Sequence, residues 1–242
     1  MFCERRSMNS EMVFPLYQKL AEDIKRQILD GTLKENEKLP PELELSKEYS
    51  VSRVTVRKAM EILVDGGYVK KHQGIGTFVA ARKINRIHGQ SMGFTDMCET
   101  EGKIPSAELL GVEWTTATVA MSQHLGIKEG ERILKISRIR KYDGVPVMLE
   151  VNYFSSRYSY LMEQDLTKSL YATLRAHGDM PNHAVKVVEI GYVTQEEAQY
   201  LNMAPGSVTL ILKETVTNDD RDVIHYCKQV VNPERYKLTI AF

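Results

Sequence analysis

The 242-residue chain is poor in cysteine: Cys3, Cys98 and Cys227 stand far apart, with no Cys-x-x-Cys pair. That argues against a disulfide framework and against a zinc knuckle, and it suits a reducing cytoplasm. Net charge is also missing, since 32 Lys and Arg balance 32 Asp and Glu. A protein that binds nucleic acid over its whole surface would be basic, so any such contact must come from a local patch. No apolar run approaches the roughly 18 residues of a membrane span. The N-terminus, MFCERRSMNSEM, has charges with no apolar stretch behind them, so it reads as a short loose tail and not as a secretory signal. No Ser/His/Asp elbow, metal cluster or cofactor loop is found, so no catalytic residue, metal or cofactor is expected. What the chain does have is core material. With 43% hydrophobic and 26% charged residues, it can bury two modest cores.

The first eighty residues are organised by helical periodicity. In PLYQKLAEDIKRQILDG, Leu16, Leu20, Ile24 and Ile28 recur every four residues, with Tyr17 and Leu29 beside them and charges between. This predicts an amphipathic helix that opens at Pro15 and closes before Gly31. Pro41 can open a second helix, about 42–49, that buries Leu45 and Tyr49. After a break at Ser50-Val51, Ser52 is a good N-cap for a third helix with Val56, Ala59, Met60 and Leu63 inward, stopped by Gly66-Gly67. Two helices joined by so short a turn make a helix-turn-helix. The third helix carries Arg53 and Arg57 one turn apart, with Thr55 and Lys58 near them. An arginine fork there matches a guanine edge and also suits phosphate. Taken alone, two such arginines are more often a solvated helix face.

Residues 68–72 then read as a strand, Gln73-Gly74-Ile75-Gly76 as a turn and Thr77-Phe78-Val79 as the return strand. A glycine-rich tip lets backbone N–H groups approach a phosphate or a minor groove. From Tyr49 to Val79 there are five Lys or Arg against two Asp or Glu, a local basic patch in a neutral chain. The string LPPELELSKEYSVSRVTVRKAMEILVDGGYVKKHQGIGTFV resembles the winged helix-turn-helix of the GntR superfamily. The resemblance implies contact with double-stranded DNA by Ser52, Arg53, Thr55, Arg57, Lys58, Lys70, Lys71, Gln73 and Gly74. One departure is Leu43, where the family often carries an arginine.

Residues 80–90 are polar and basic with no helical stripe, and read as a linker between a domain at 14–79 and another at 91–242. Beyond it the pattern changes to strands: 112–119, 132–142, 146–153, 185–193, 207–217 and 223–231. Asp143-Gly144 is a hairpin turn, and short helices are expected at 117–125, 169–176 and 195–202. Leu125, Ile127, Gly130, Leu134 and Ile136 are echoed by Leu201, Met203, Gly206, Leu210 and Leu212 at a constant offset of 76 residues. Two such copies can pair into one antiparallel sheet with pseudo-twofold symmetry. The expected fold class is therefore α+β in two domains, a winged helix-turn-helix followed by an antiparallel sheet with short helices. The second part resembles the UTRA domain of the HutC subfamily, a fold in turn similar to chorismate lyase.

Arg138 and Arg140 fall on one face of a strand that also carries Leu134 and Ile136. Two arginines on an apolar face are costly to bury without an anion, although Glu150 on the returning strand could serve as an internal partner, and the pair is also readable as a solvated strand end. The UTRA resemblance implies that Arg138 and Arg140 clamp a phosphate, joined by Ser169, Tyr171 and the backbone at Phe94-Thr95, with Glu150 on a sugar hydroxyl or amide. His225 and Val231 stand where amino-sugar responders carry an acid and a tyrosine. The expected effector is thus a phosphorylated sugar or related polar metabolite other than N-acetylglucosamine 6-phosphate. His225 is equally well read as a satisfied sheet histidine. The function that follows is a cytoplasmic, homodimeric repressor on a palindromic operator, modulated by that effector and without a membrane partner. Two alternatives remain: a lyase-like enzyme fused to a DNA-binding domain, and an architectural DNA binder whose second half only dimerises.

Overall fold

The computed structural model describes residues 15–81, 83–87 and 92–239. The tail 1–14, Phe14 at the expected domain start included, lies outside them, as does part of the expected linker. The chain divides into two compact units, residues 1–82 and 83–242.

In the first unit α1 spans Leu16–Leu29, α2 Glu42–Glu48 and α3 Arg53–Asp65. Pro15 caps α1 from outside the helix, one position earlier than expected, and Gly31 follows its end at φ 83. Leu16 is 60% exposed and leaves the predicted stripe. Four residues advance a helix by about 400°, so a strict four-residue row drifts ~40° per step and Leu16 rotates off the core face. Ala21 takes its place beside Leu20, Ile24 and Ile28. These pack with Leu45, Val56, Ala59, Met60 and Leu63 in one core, each Leu or Ile contributing roughly 1.5–3 kcal/mol. Tyr49 falls just past α2, half-buried, and its hydroxyl donates to Asp23 at 2.9 Å. The turn into α3 is tight because Ser50 takes a positive φ of 53 and Ser46 donates to the Val51 carbonyl at 2.6 Å. Ser52 caps α3, accepting from the Thr55 N–H at 3.1 Å. Strands β1, Val69–His72, and β2, Gly76–Val79, form the wing, and Gly74 at its tip has φ 75. Backbone from Asn36 to Leu39 pairs along β2 and braces it.

The second unit runs β3 Ile84–Ile87, α4 Phe94–Thr100, β4 Pro105–Thr116, α5 Val119–Leu125, β5 Arg132–Tyr142, β6 Val145–Ser155, a 3-10 segment Ser156–Glu163, α6 Leu170–Ala176, β7 His183–Tyr192, α7 Gln195–Leu201, β8 Val208–Thr217, β9 Val223–Val231 and β10 Tyr236–Thr239. Six strands form one antiparallel sheet in the order β4-β5-β6-β9-β8-β7. Residues 84–87, within the segment read as linker, form a parallel pair with β10, and Ile84 is fully buried.

The 76-residue echo is structural. Thr118 and Thr194 cap α5 and α7 in the same way, each accepting from the backbone N–H three residues on. Gly126 and Asn202 end those helices in the left-handed region. Gly130 donates to the Ala117 carbonyl as Gly206 donates to that of Val193. Each copy supplies three strands, and the copies meet at β6 and β9, which puts the pseudo-twofold at the centre of the sheet. The type of hairpin between β5 and β6 was written in the sequence: Asp143 and Gly144 both have positive φ, 48 and 78.

One face of the sheet is covered by α5, which packs near Ile133 and Tyr226, and by α7, near Leu149 and Val230. On the opposite face α4 packs near Met148 and Val231, while the 3-10 segment and α6 pack on Leu134, Ile136 and Phe154. Between these two apolar clusters the second face is polar.

Candidate DNA-binding face and effector cleft

In the first unit Arg53, Arg57 and Lys58 are exposed on α3, and Lys71, Gln73 and Gly74 on the wing; Thr55 and Lys70 are half-buried. The guanidiniums are not folded back into the core. The Arg57 side chain is 59% exposed and lies 3.5 Å from the Glu42 carboxylate, which also stands 3.9 Å from the Lys71 ammonium. One acid of α2 thus faces a cation of α3 and a cation of the wing. At such exposure these pairs contribute little to stability and give way readily to a phosphate. Arg53 has no ion pair among the described residues. Its charge and that of Arg57 lie in the N-terminal half of α3, the part of a recognition helix that enters a major groove.

In the second unit a narrow cleft lies over the polar centre of the sheet. All eight residues expected to bind an effector line it: Phe94, Thr95, Arg138, Arg140, Glu150, Ser169, Tyr171 and His225. Cross-strand register explains the core of this grouping. Arg138 on β5 stands directly opposite Glu150 on β6, so their side chains share one face. Arg138 donates to Glu150 Oε1 and to the carbonyls of Leu166 and Lys168, at 3.1 and 3.3 Å. Arg140 lies 3.8 Å from the same Oε1, donates to the Thr95 hydroxyl at 3.1 Å and rests 4.8 Å from the centre of the Phe94 ring. Asn152 donates to Glu150 at 2.9 Å.

Two buried guanidiniums therefore share one carboxylate, and the Nε of each has no hydrogen-bond partner. Burial would raise the Glu150 carboxyl, but the two guanidiniums, with the hydrogen bonds from Arg138 and Asn152, override it and hold it down to about 2. Burial and the neighbouring Arg138 charge push Arg140 down to about 10, with Glu150 only partly opposing. His225 is fully buried against the Phe154 and Tyr171 rings, and neither ring nitrogen meets the geometry of a hydrogen bond. Burial pushes its imidazole down to about 4, against the pull of Glu214 and Glu150, so it is neutral at pH 7. Its place is the cleft wall.

The cleft also contains residues that sequence reading missed: Asn152, Glu214, Cys227 and Gln229. The Gln229 carbonyl oxygen is buried without a partner. His225, Cys227 and Gln229 alternate along β9, a signal visible in the sequence, but the β6–β9 register that places them beside Glu150 is not. The starts of α4 and α6 meet above the sheet. Gly93 lies so close to Tyr171 that a Cβ would stand 3.2 Å from the ring, and Arg175 of α6 reaches Asp96 of α4 at 3.5 Å. Ser169 caps α6 by accepting from the Ala172 N–H. No group of three metal-ligating side chains occurs among the described residues, and no described helix is long and apolar enough to cross a membrane.

A winged helix-turn-helix carried on one chain with a sheet domain that holds a charged cleft is the architecture of a DNA-binding transcription regulator. Residues 16–79 match the bacterial regulatory proteins of the gntR family, and residues 100–237 match the UTRA domain. The chain belongs to the GntR family, in the group that carries a UTRA domain, and its relatives are transcription regulators and not enzymes. It is 27% identical to the HTH-type transcriptional repressor NagR of Bacillus subtilis, over 95% of this chain and 96% of that one. It is 29% identical to MngR of Escherichia coli, the mannosyl-D-glycerate transport/metabolism system repressor, over 93% and 95%. The crystal structure of PhnF from Mycobacterium smegmatis superposes with a TM-score of 0.78 at 26% identity, over 92% of this chain and 98% of that one.

Proposed function

We propose that this regulator is a repressor whose operator affinity is set by an anionic metabolite, a phosphorylated sugar or related polyol, held in the cleft of the second unit. The observation that carries the reading is the pair of buried guanidiniums with a single carboxylate between them. A buried excess of positive charge is costly, and an anion relieves it. Arg140 is the freer of the two and faces Thr95, so it is assigned, with Arg138, to the phosphate. Ser169, Tyr171 and the backbone at Phe94 and Thr95 close around that group, and Glu150 and His225 take the polar body. MngR is a repressor by name, and its system handles mannosyl-D-glycerate, a sugar carrying a carboxylate.

On the DNA side, Arg53, Arg57, Ser52, Thr55 and Lys58 enter the major groove, and Lys70, Lys71, Gln73 and Gly74 of the wing hold the backbone. Two copies bind a palindrome. The strand β7 is the natural seam between them. It is a ten-residue edge, and Val185, Ile190 and Tyr192 are each more than 70% exposed, a combination that an isolated sheet edge does not tolerate. The regulator acts in the cytoplasm. Effector binding changes operator affinity only if it favours one dimer arrangement over another. The test is to titrate the complex of full-length protein and operator, selected from random duplex DNA, with hexose 6-phosphates and other sugar phosphates. One of them is expected to weaken binding at least about tenfold, and Arg140→Met to remove that response without loss of DNA affinity. If no phosphorylated sugar shifts the titration, the proposal fails.

A further inference from the structure

Val54 lies in the first turn of α3 and is 65% exposed, more than any other large apolar side chain described in the first unit. The buried row of this helix is Val56, Ala59, Met60 and Leu63. At about 100° per residue Val54 lies opposite the middle of that row, on the crest of the outward face. Arg57 and Lys58 flank it one turn on, and both are drawn aside. Arg57 faces Glu42, and the Lys58 ammonium lies 5.8 Å from the centre of the Tyr17 ring. The hydroxyls of Ser52 and Thr55 are hydrogen-bonded to each other at 2.9 Å. In the free chain Arg57, Lys58 and the two hydroxyls thus have weak, displaceable partners within the protein, while Val54 presents two methyl groups outward from a position where branching at Cβ slightly disfavours the helix.

We infer that Val54 reads a thymine in each operator half-site through the C5 methyl group. That methyl is the apolar feature of the major-groove base edges, and a side chain without donor or acceptor can recognise nothing else there. Val54 excludes water from the methyl, while the arginine forks beside it read guanine. The operator should therefore pair a guanine with a thymine close by. This assignment rests on α3 being the recognition helix.

The experiment uses full-length protein and an operator selected from random duplex DNA. Each thymine is replaced in turn by deoxyuridine, which removes that methyl group and nothing more. At one thymine per half-site the wild-type affinity is expected to fall about fourfold, the size of one buried methyl group. Val54→Ala is expected to bind the thymine operator more weakly and to lose nothing further with deoxyuridine at that position. The inference is overturned if no single replacement weakens wild-type binding by more than about twofold, or if Val54→Ala keeps the full deoxyuridine effect. Arg57→Ala on the same operator separates the two levels. Undiminished binding by that variant removes α3 as the recognition helix, whereas lost binding without a deoxyuridine effect removes only the role of Val54.

Discussion

Glu150→Gln tests the electrostatics of the cleft most directly. The substitution keeps the side-chain volume and deletes the one carboxylate that Arg138 and Arg140 share. Arg138, Arg140 and Glu150 have side chains only 1%, 4% and 8% exposed, so solvent cannot make up the loss. Removing one partner of a buried ion pair costs about 3–5 kcal/mol, because a charge is left uncompensated. For a unit of this size each kcal/mol lowers Tm by about 2–4 °C, which puts the expected drop at about 6–20 °C. An anion can occupy the vacated role, so added phosphate should stabilise the variant more than the wild type. At a concentration 100 times its dissociation constant, such an anion restores about 2.7 kcal/mol. The assay is calorimetry of the full chain at pH 7 with and without phosphate, following the transition of the second unit. A variant that melts within about 2 °C of wild type, or equal stabilisation of both proteins by phosphate, would show that the guanidiniums are neutralised by something other than Glu150 and that the anion argument is unsound.

Three further outcomes are expected. Arg53→Ala should weaken specific operator binding by about 1–3 kcal/mol and relax the base preference at one position, read by competition between operator variants; an unchanged footprint would misplace the recognition helix. Lys71→Ala should weaken binding to all sequences alike and reduce the slope of log K against log salt by about one, so an unaltered slope would take the wing off the phosphate backbone. His225 has its folded pKa pushed by burial to about 4, below the 6.5 of the free side chain. Its contribution to stability is complete above pH 6.5 and shrinks by about 3 kcal/mol as pH falls from 6.5 to 4, because the unfolded chain takes up the proton first. His225→Gln should flatten Tm against pH in that window, and parallel profiles for the two proteins would refute the assignment of a buried neutral imidazole.

How much was legible depended on the range of the interactions involved. The β5–β6 hairpin was readable because Asp143-Gly144, set between two runs rich in β-branched and apolar residues, permits the positive φ of a tight turn. Ser52 was readable because a capping hydroxyl acts on a backbone N–H three residues away. By contrast α4 has only seven residues, too few for a helical stripe to declare itself, and it passed unnoticed although Phe94 and Thr95 did not. The strand at Ile84–Ile87 was read as part of a linker because its partner lies about 150 residues away in the chain and neither segment is longer than four residues.

The sequence by itself determined the winged helix-turn-helix, the repeat of 76 residues and the side of β5 on which Arg138 and Arg140 lie. Each of these follows from local periodicity, capping or turn chemistry, which act over a few residues. Only the tertiary structure decided that a single carboxylate serves both guanidiniums, that His225 and Gln229 face them across the sheet, and that Arg57 leans on Glu42 and leaves Val54 at the crest of α3. Those facts depend on the register of β9 against β6 and on the packing of α2 against α3. Residues far apart in the chain set that geometry together, and no stretch of the sequence states it alone.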